Sequence, residues 1–186
     1  MATLLEAINI LLVAKSVTPI TEVEAGHPDV SAATAILNRT KRTVNSIKWY
    51  YNTELDIDVP IDVNGNCNLP STVISLDNDQ NYIIMQGKLY DVTTRTNVFT
   101  EGVEELTFIH NRDWPDMPIQ AFDYVCALAK EEFIRSLESS IMSGQAEKDI
   151  TRCKAVLDIT DFRFKDVSKP AANPLMLKWQ QKMIVR

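Results

Sequence analysis

The stretch DVSAATAILNRTKRTVNSIKWYYNTELDIDVPID (residues 29–62) decides the fold, because the spacing of its apolar residues changes part-way along it. Apolar side chains first recur every three or four residues, which predicts an amphipathic helix over residues 29–53 with Asp29 as its N-cap. From residue 55 they alternate with polar residues, which predicts a half-buried strand. Because Pro60 cannot donate to a strand ladder, we expect that strand at a sheet edge. The apolar positions are Val30, Ala33, Ile36, Leu37, Val44, Ile47 and Tyr51 in the helical half, and Leu55, Ile57, Val59 and Ile61 in the strand.

Helical patterns lie on both sides of this stretch. Thr3 and Glu6 have the spacing of a capping box, which predicts a first helix that ends near Lys15. Pro118 suits the first turn of a third helix over residues 118–137. A fourth helix is predicted over about residues 145–162, and its inward residues are Ile150, Cys153, Val156 and Leu157.

The residues between the second and third helices predict short strands separated by polar turns. These candidates are residues 55–61, 72–76, 82–86, 88–91, 97–100 and 104–109. The predicted fold class is therefore α+β: a four-helix bundle with a small antiparallel β domain inserted between helices 2 and 3. The bundle would comprise residues 1–53 and 115–164, the inserted domain residues 54–114, and an extended C-terminal arm residues 165–186.

Charge is unevenly distributed along the 186 residues. The formal net charge is −6, but residues 165–186 contain five basic residues and one acid, so that the preceding residues carry −10. An acidic body argues against nucleic-acid binding over most of the surface. The basic arm would bind an acidic surface, for which a second copy of the body is the nearest candidate.

The predicted arm is also rich in apolar residues, namely Leu175, Leu177, Trp179, Met183 and Val185. Burying one large apolar side chain is worth ~1.5–3 kcal/mol, so these residues are costly to leave in water. Pro170 and Pro174 favour an extended path. We therefore expect the arm to dock on a neighbouring subunit, with packing on its own domain as the alternative.

Three aromatic residues flank the predicted β domain, and we expect them to fill the seam between bundle and insert. They are Trp49 and Tyr51 at the end of the second helix and Trp114 at the exit from the β region. Stacking on nucleic-acid bases is the less favoured interpretation.

The sequence contains no complete catalytic or metal motif, and no cofactor is predicted. His110 and Asp113 are close enough in sequence for acid–base chemistry, but a surface or capping role is favoured. Residues 77–81 begin like a calcium loop, yet Tyr82 and Lys88 occupy the positions that need glycine and glutamate. Asp56, Asp58 and Asp62 are interpreted as a solvated strand face rather than a cation site. Cys67, Cys126 and Cys153 are too scattered for a disulfide framework and are expected to be free thiols.

Four stretches in order resemble the tail tubular protein A family, the head-to-tail adaptors of short-tailed bacteriophages. They are LEAIN (residues 5–9) with PI at 19–20, AILN (35–38) leading to WYYNTE (49–54), GKLYD (87–91) followed by TNVF (96–99), and MP (117–118). The family often has glycine before the tryptophan, where this chain has Lys48. The arm matches least.

This resemblance implies a structural virion protein and no enzymatic activity. It implies a dodecameric ring between the portal and the tubular nozzle of the tail, with a channel through which the genome passes without specific binding. It places the protein in the virion tail, after a stage in the host cytoplasm, and it implies no membrane association. The sequence agrees with the last point, because the apolar run at residues 4–14 is too short to span a bilayer. Two alternatives stay open, a non-virion cytosolic binding module of the same fold and an enzyme that uses His110 and Asp113.

Overall fold

The computed structural model describes residues 2–23, 27–77, 81–138 and 144–167. Within these ranges the chain is α+β, with four helices and small antiparallel sheets, as predicted. The helices are α1 (Leu4–Ala14), α2 (Pro28–Asn45), α3 (Ile119–Glu138) and α4 (Gly144–Val167). The strands are β1 (Thr53–Val59), β2 (Val73–Leu76), β3 (Tyr82–Met85), β4 (Lys88–Asp91) and β5 (Val103–His110).

Helix α1 begins as the capping motif predicts. The Thr3 hydroxyl accepts a hydrogen bond from the Glu6 amide at 3.1 Å, which satisfies one of the free N–H groups of the first turn. The buried face of α1 consists of Ala7, Ile8, Leu11 and Leu12.

Helix α2 differs from its prediction at both ends. Pro28 occupies its first turn and His27 is the N-cap residue, so Asp29 is not the N-cap; its carboxylate instead pairs with the Lys15 ammonium at 2.7 Å. The helix ends at Asn45 rather than Thr53, because side chains beyond it bind its last carbonyl groups. The Trp49 indole donates to the Val44 carbonyl at 2.9 Å, and the Asn52 amide donates to the Asn45 carbonyl at 2.7 Å.

Helix α3 lies at the centre of the helical part, where it contacts α1, α2 and α4. The buried residues of this part, here called the helical core, include Phe122, Val125, Ala129 and Phe133 of α3 and Leu37 and Val44 of α2. From α4, Leu157 is completely buried, and Ile150 and Cys153 pack against the core. Val156 is 46% exposed, so its predicted inward orientation is wrong.

Strands β1, β5 and β2 form an antiparallel sheet in that order, so β1 lies at an edge as Pro60 predicts. Strands β3 and β4 form a separate antiparallel pair. A second apolar cluster, here called the β core, lies among these strands and comprises Val59, Cys67, Val73, Leu89, Val103, Leu106 and Phe108.

Irregularities in the β1–β5 pairing break the alternation that the sequence predicts for β1. The register shifts twice along this pair, and Asp56 and Glu105 have φ values of 56° and 58°. Such bulges turn one residue out of the pleat. Leu55 is exposed in this irregular strand, Ile61 beyond its end is exposed as well, and of the predicted inward set only Val59 is buried.

Residues 97–100 do not form the predicted strand. The Phe99 amide donates to the Gly65 carbonyl at 2.8 Å, which holds this segment against the turn after β1. At Gly102, a Cβ atom would lie 3.0 Å from the Val59 carbonyl oxygen, so glycine permits the close approach of the chain to β1.

Candidate assembly surfaces

A polar seam joins α2 to the segment after β5. Asn45 is completely buried; its side-chain amide donates to Asn111 Oδ1 at 3.1 Å and to the Arg112 carbonyl at 3.2 Å. Its side-chain oxygen accepts the Tyr51 hydroxyl at 2.8 Å. Because buried polar groups are costly when unpaired, this set of bonds favours one relative placement of the two segments.

Asn52 extends the seam to the sheet. It is completely buried, and its side-chain oxygen accepts the Trp49 amide while its backbone carbonyl accepts the His110 amide at 2.8 Å. Arg112 binds the Tyr51 carbonyl at 3.2 Å and the Glu54 carboxylate at 3.1 Å. We call Asn45, Tyr51, Asn52 and Arg112 the polar seam.

The three aromatic residues expected between the bundle and the insert all contact the helical core. Trp49 and Trp114 are 5% and 7% exposed and belong to the helical core, and Tyr51 packs against that core from a partly buried position. Burial raises the pKa of the Tyr51 phenol. Trp114 meets the Phe122 ring edge-on at 6.1 Å, and the Lys41 ammonium lies 5.5 Å from the Trp114 ring centre.

Sequence reasoning missed the asparagines and Arg112 of this seam. An asparagine at the end of a helical pattern is a known signal for a helix C-terminus. That signal was available at Asn45, but its partner Asn111 is 66 residues away and carries no pattern.

His110 and Asp113 do not form the acid–base pair that was the less favoured interpretation of their spacing. The prediction of a surface position for His110 is wrong, since it is only 4% exposed. Its Nδ1 lies 3.0 Å from the Thr72 hydroxyl, and its Nε2 lies 3.2 Å from Glu54 Oε2, off the direction of a good hydrogen bond. The Asp113 carboxylate instead lies 3.4 Å from the Lys41 ammonium.

Several aspartates that were weighed as possible cation ligands form local hydrogen bonds and ion pairs instead. Asp62 closes the turn after β1 by accepting hydrogen bonds from the backbone amides of Asn64 and Asn66 and the side chain of Asn68, which lowers its pKa to about 2. Asp58 accepts the Glu105 amide at 3.2 Å. Of the calcium-like loop, Asp77 pairs with Lys48, and residues 78–80 lie outside the described ranges. Across the described ranges, no three potential metal ligands cluster.

The three cysteines are free, as expected. Burial raises the pKa of each thiol, to about 12 for Cys126. Cys67 and Cys126 lie in the β core and the helical core, respectively, where they act as small apolar side chains.

The end of α4 lies against the residues that follow α2. The Asp161 carboxylate accepts the Tyr50 amide at 2.7 Å, and the Phe164 ring stacks on Tyr50 at 4.4 Å. The Lys165 ammonium donates to the Lys48 carbonyl at 3.1 Å. The predicted arm therefore starts beside the polar seam, and its named apolar residues, Leu175, Leu177, Trp179, Met183 and Val185, lie outside the described residues.

Three surfaces have the features of contact sites. An open groove of about 660 Å³ runs along α1 and includes Leu5, Ile10 and Val13, with Glu6 and Lys130 as its charges. A second groove of about 610 Å³ lies at the start of β5 and is lined by aromatic and acidic residues. The third surface, the outer stripe of α4, consists of Val156, Ile159 and Phe162, which are each about half exposed.

A comparison with models of protein families gives a match over most of the chain. The model of a family described as tail tubular protein matches residues 5–166, which span nearly all of the described chain. The chain belongs to the tail tubular protein family. No match to a curated protein sequence was found.

Membership confirms the resemblance drawn from the sequence and makes this tail tubular protein a structural component of the phage tail. The family is structural rather than enzymatic, in keeping with the local roles of His110 and the aspartates. None of the helices in the described ranges is long and apolar enough to cross a membrane.

Proposed function

We propose that this tail tubular protein is the head-to-tail adaptor of a short-tailed phage. In this role it forms a ring, dodecameric by resemblance, that joins the portal protein to the nozzle of the tail. The observation that carries the proposal is the family match over residues 5–166, together with four family-like stretches in the same order. Before assembly the chain resides in the host cytoplasm.

The proposed organisation is a four-helix bundle of residues 1–53 and 115–164 with residues 54–114 inserted as a β domain. Two observations support it: the helical core and the β core are separate apolar clusters, and a network of buried hydrogen bonds lies where α2 approaches the end of β5. Trp49, Tyr51 and Trp114 then act as packing residues of the seam and hold the bundle and the insert at one angle.

The proposed ring leaves a central channel for DNA ejection. A wall that passes DNA must not retain its phosphates, and residues 1–164 carry a net charge of −10. The genome then passes without specific binding.

Residues 165–186 are proposed as an assembly arm: residues 165–167 belong to the end of α4, and residues 168–186 order against another subunit. Their apolar side chains would hold the contact, and their basic side chains would speed the encounter with acidic surfaces. Ordering only on assembly would let a soluble chain await its partner.

The test is the composition of purified particles. We expect the chain in a fixed ratio to the portal protein, and an assembled ring whose mass by native mass spectrometry corresponds to about twelve copies, as the resemblance implies. His110→Ala should retain ring assembly, which separates this proposal from an enzyme. Absence of the chain from purified particles would contradict the proposal and favour a non-virion binding module.

A further inference from the structure

The groove at the start of β5, here called the acidic groove, combines aromatic walls with carboxylates. Tyr82 and Phe99 meet edge-to-face at 5.9 Å, and Val103 beside them is buried. Glu101 and Glu104 add exposed carboxylates, so the groove offers both an apolar contact and negative charge.

The carboxylates of this groove form no ion pair within the described ranges. Glu105 also lines the groove, and none of its three glutamates takes part in an ion pair there. The bulge at Glu105 brings its amide to the Asp58 carboxylate at 3.2 Å, which adds a fourth negative group nearby. Like charges in proximity repel, and a cationic partner would relieve that repulsion.

Residues 168–186 have the complementary chemistry. They contain four basic residues, Lys169, Lys178, Lys182 and Arg186, and no acid. Lys178 and Lys182 lie within three residues of Trp179, so this segment combines an aromatic ring with cations, which matches a groove with two rings and three carboxylates.

The other two surfaces match this segment less well. The outer stripe of α4 carries Lys148, Arg152 and Arg163 on the same side of the helix, which would repel a basic segment. The α1 groove has one acid and one base among its lining residues, so it offers no net attraction.

We propose that residues 168–186 of a neighbouring copy dock in the acidic groove, an inference that rests on the assembly arm proposed above. The groove lies at the far end of β5 from the seam, ~24 Å along a strand that rises ~3.4 Å per residue. Trp179 is twelve residues beyond Val167, and an extended chain covers up to ~40 Å in that length. The arm is thus long enough to cover the distance from the seam to an acidic groove, and isotope mixing, described next, distinguishes the groove of a neighbouring copy from the arm's own.

The test uses a full-chain variant in which a photo-crosslinking phenylalanine replaces Trp179. This variant is mixed with the unaltered chain, which carries an isotope label. After illumination of the oligomer we expect cross-links between the two isotopic forms, within the tryptic peptide of residues 96–112. That peptide contains Phe99 and all three groove glutamates. Replacing Glu101, Glu104 and Glu105 together by glutamine should lower the cross-linking yield about tenfold at low salt and much less at high salt.

A matched control removes three exposed acids elsewhere, Glu22→Gln, Asp116→Asn and Glu147→Gln, and should leave the yield unchanged. Cross-links confined to the isotopic form that carries the photo-crosslinker, cross-links to other peptides, or no cross-link at any soluble concentration would each overturn the groove of a neighbouring copy as the docking site. If the cross-links go elsewhere while the chain is still present in particles, the proposed function stands and only the groove is wrong.

Discussion

Asn45 shows how much one buried side chain does in this fold. It is completely buried and binds Tyr51, Asn111 and Arg112 through its side chain. Asn45→Ala leaves these partners unpaired in the interior, so we expect the free energy of unfolding to fall by about 2–3 kcal/mol. Chemical denaturation measures it, with Asn38→Ala, an exposed asparagine on the same helix, as the control. Equal losses in the two variants would contradict the role of the polar seam.

Asp62 gives a prediction for pH. Hydrogen bonds to the folded carboxylate lower its pKa from 3.8 to about 2. The stabilisation that Asp62 provides is therefore complete above pH 4 and disappears as the pH falls through 2. We expect the melting temperature of Asp62→Ala to be below that of the unaltered chain at pH 6, and the difference to shrink towards pH 2. A difference that stays constant over this range would show that the carboxylate charge has no part in it.

At the scale of elements, α4 has two apolar faces, and only one of them packs against other described residues. Leu157 is completely buried against the helical core, whereas the adjacent Val156 is 46% exposed. Leu157→Ala should cost about 2–5 kcal/mol, as cavity-forming substitutions do. Val156→Ala should cost well under 1 kcal/mol, because it removes a partly solvated side chain. Thermal unfolding of the two single variants checks both; a costlier Val156→Ala would reverse the orientation assigned to α4.

The short turn at Trp114–Asp116 connects β5 to α3, and Trp114 anchors it in the helical core. Trp114→Ala should cost ~3–5 kcal/mol and lower the melting temperature accordingly. Trp114→Phe keeps the edge-on contact with Phe122 and should lose less. An unchanged melting temperature for Trp114→Ala would show that Trp114 does not hold the bundle and the insert together.

At the scale of the whole molecule, the arm should be separable from the body. The described core residues all precede residue 158, so a chain that ends after Ser168 retains both apolar cores. We expect circular dichroism and solubility to be unchanged and ring or tail assembly to be impaired. A truncated chain that assembles normally, or one that cannot fold, would each contradict the arm proposal.

Sequence reasoning succeeds here where structure depends on neighbours a few residues apart. The Thr3 cap, the α3 bounds to within one residue, the edge position of β1 and the existence of the short strands β3 and β4 all follow from local spacing and proline chemistry. The family resemblance was equally available, because it depends on the order of short motifs in the sequence; the match over residues 5–166 confirms the family.

Only the tertiary structure decided the features made by distant residues. Helix α2 ends where side chains replace its hydrogen bonds and where Asn45 binds Asn111, 66 residues away. The burial of His110 and the bulges at Asp56 and Glu105 depend on partners about 50 to 60 residues away. The acidic groove arises because the bulged β1–β5 pair exposes glutamates beside Tyr82 and Phe99. Helical and strand periodicities are set by the local backbone, so they can be read from one sequence; the partner of a buried polar group is set by packing, and no local pattern encodes it.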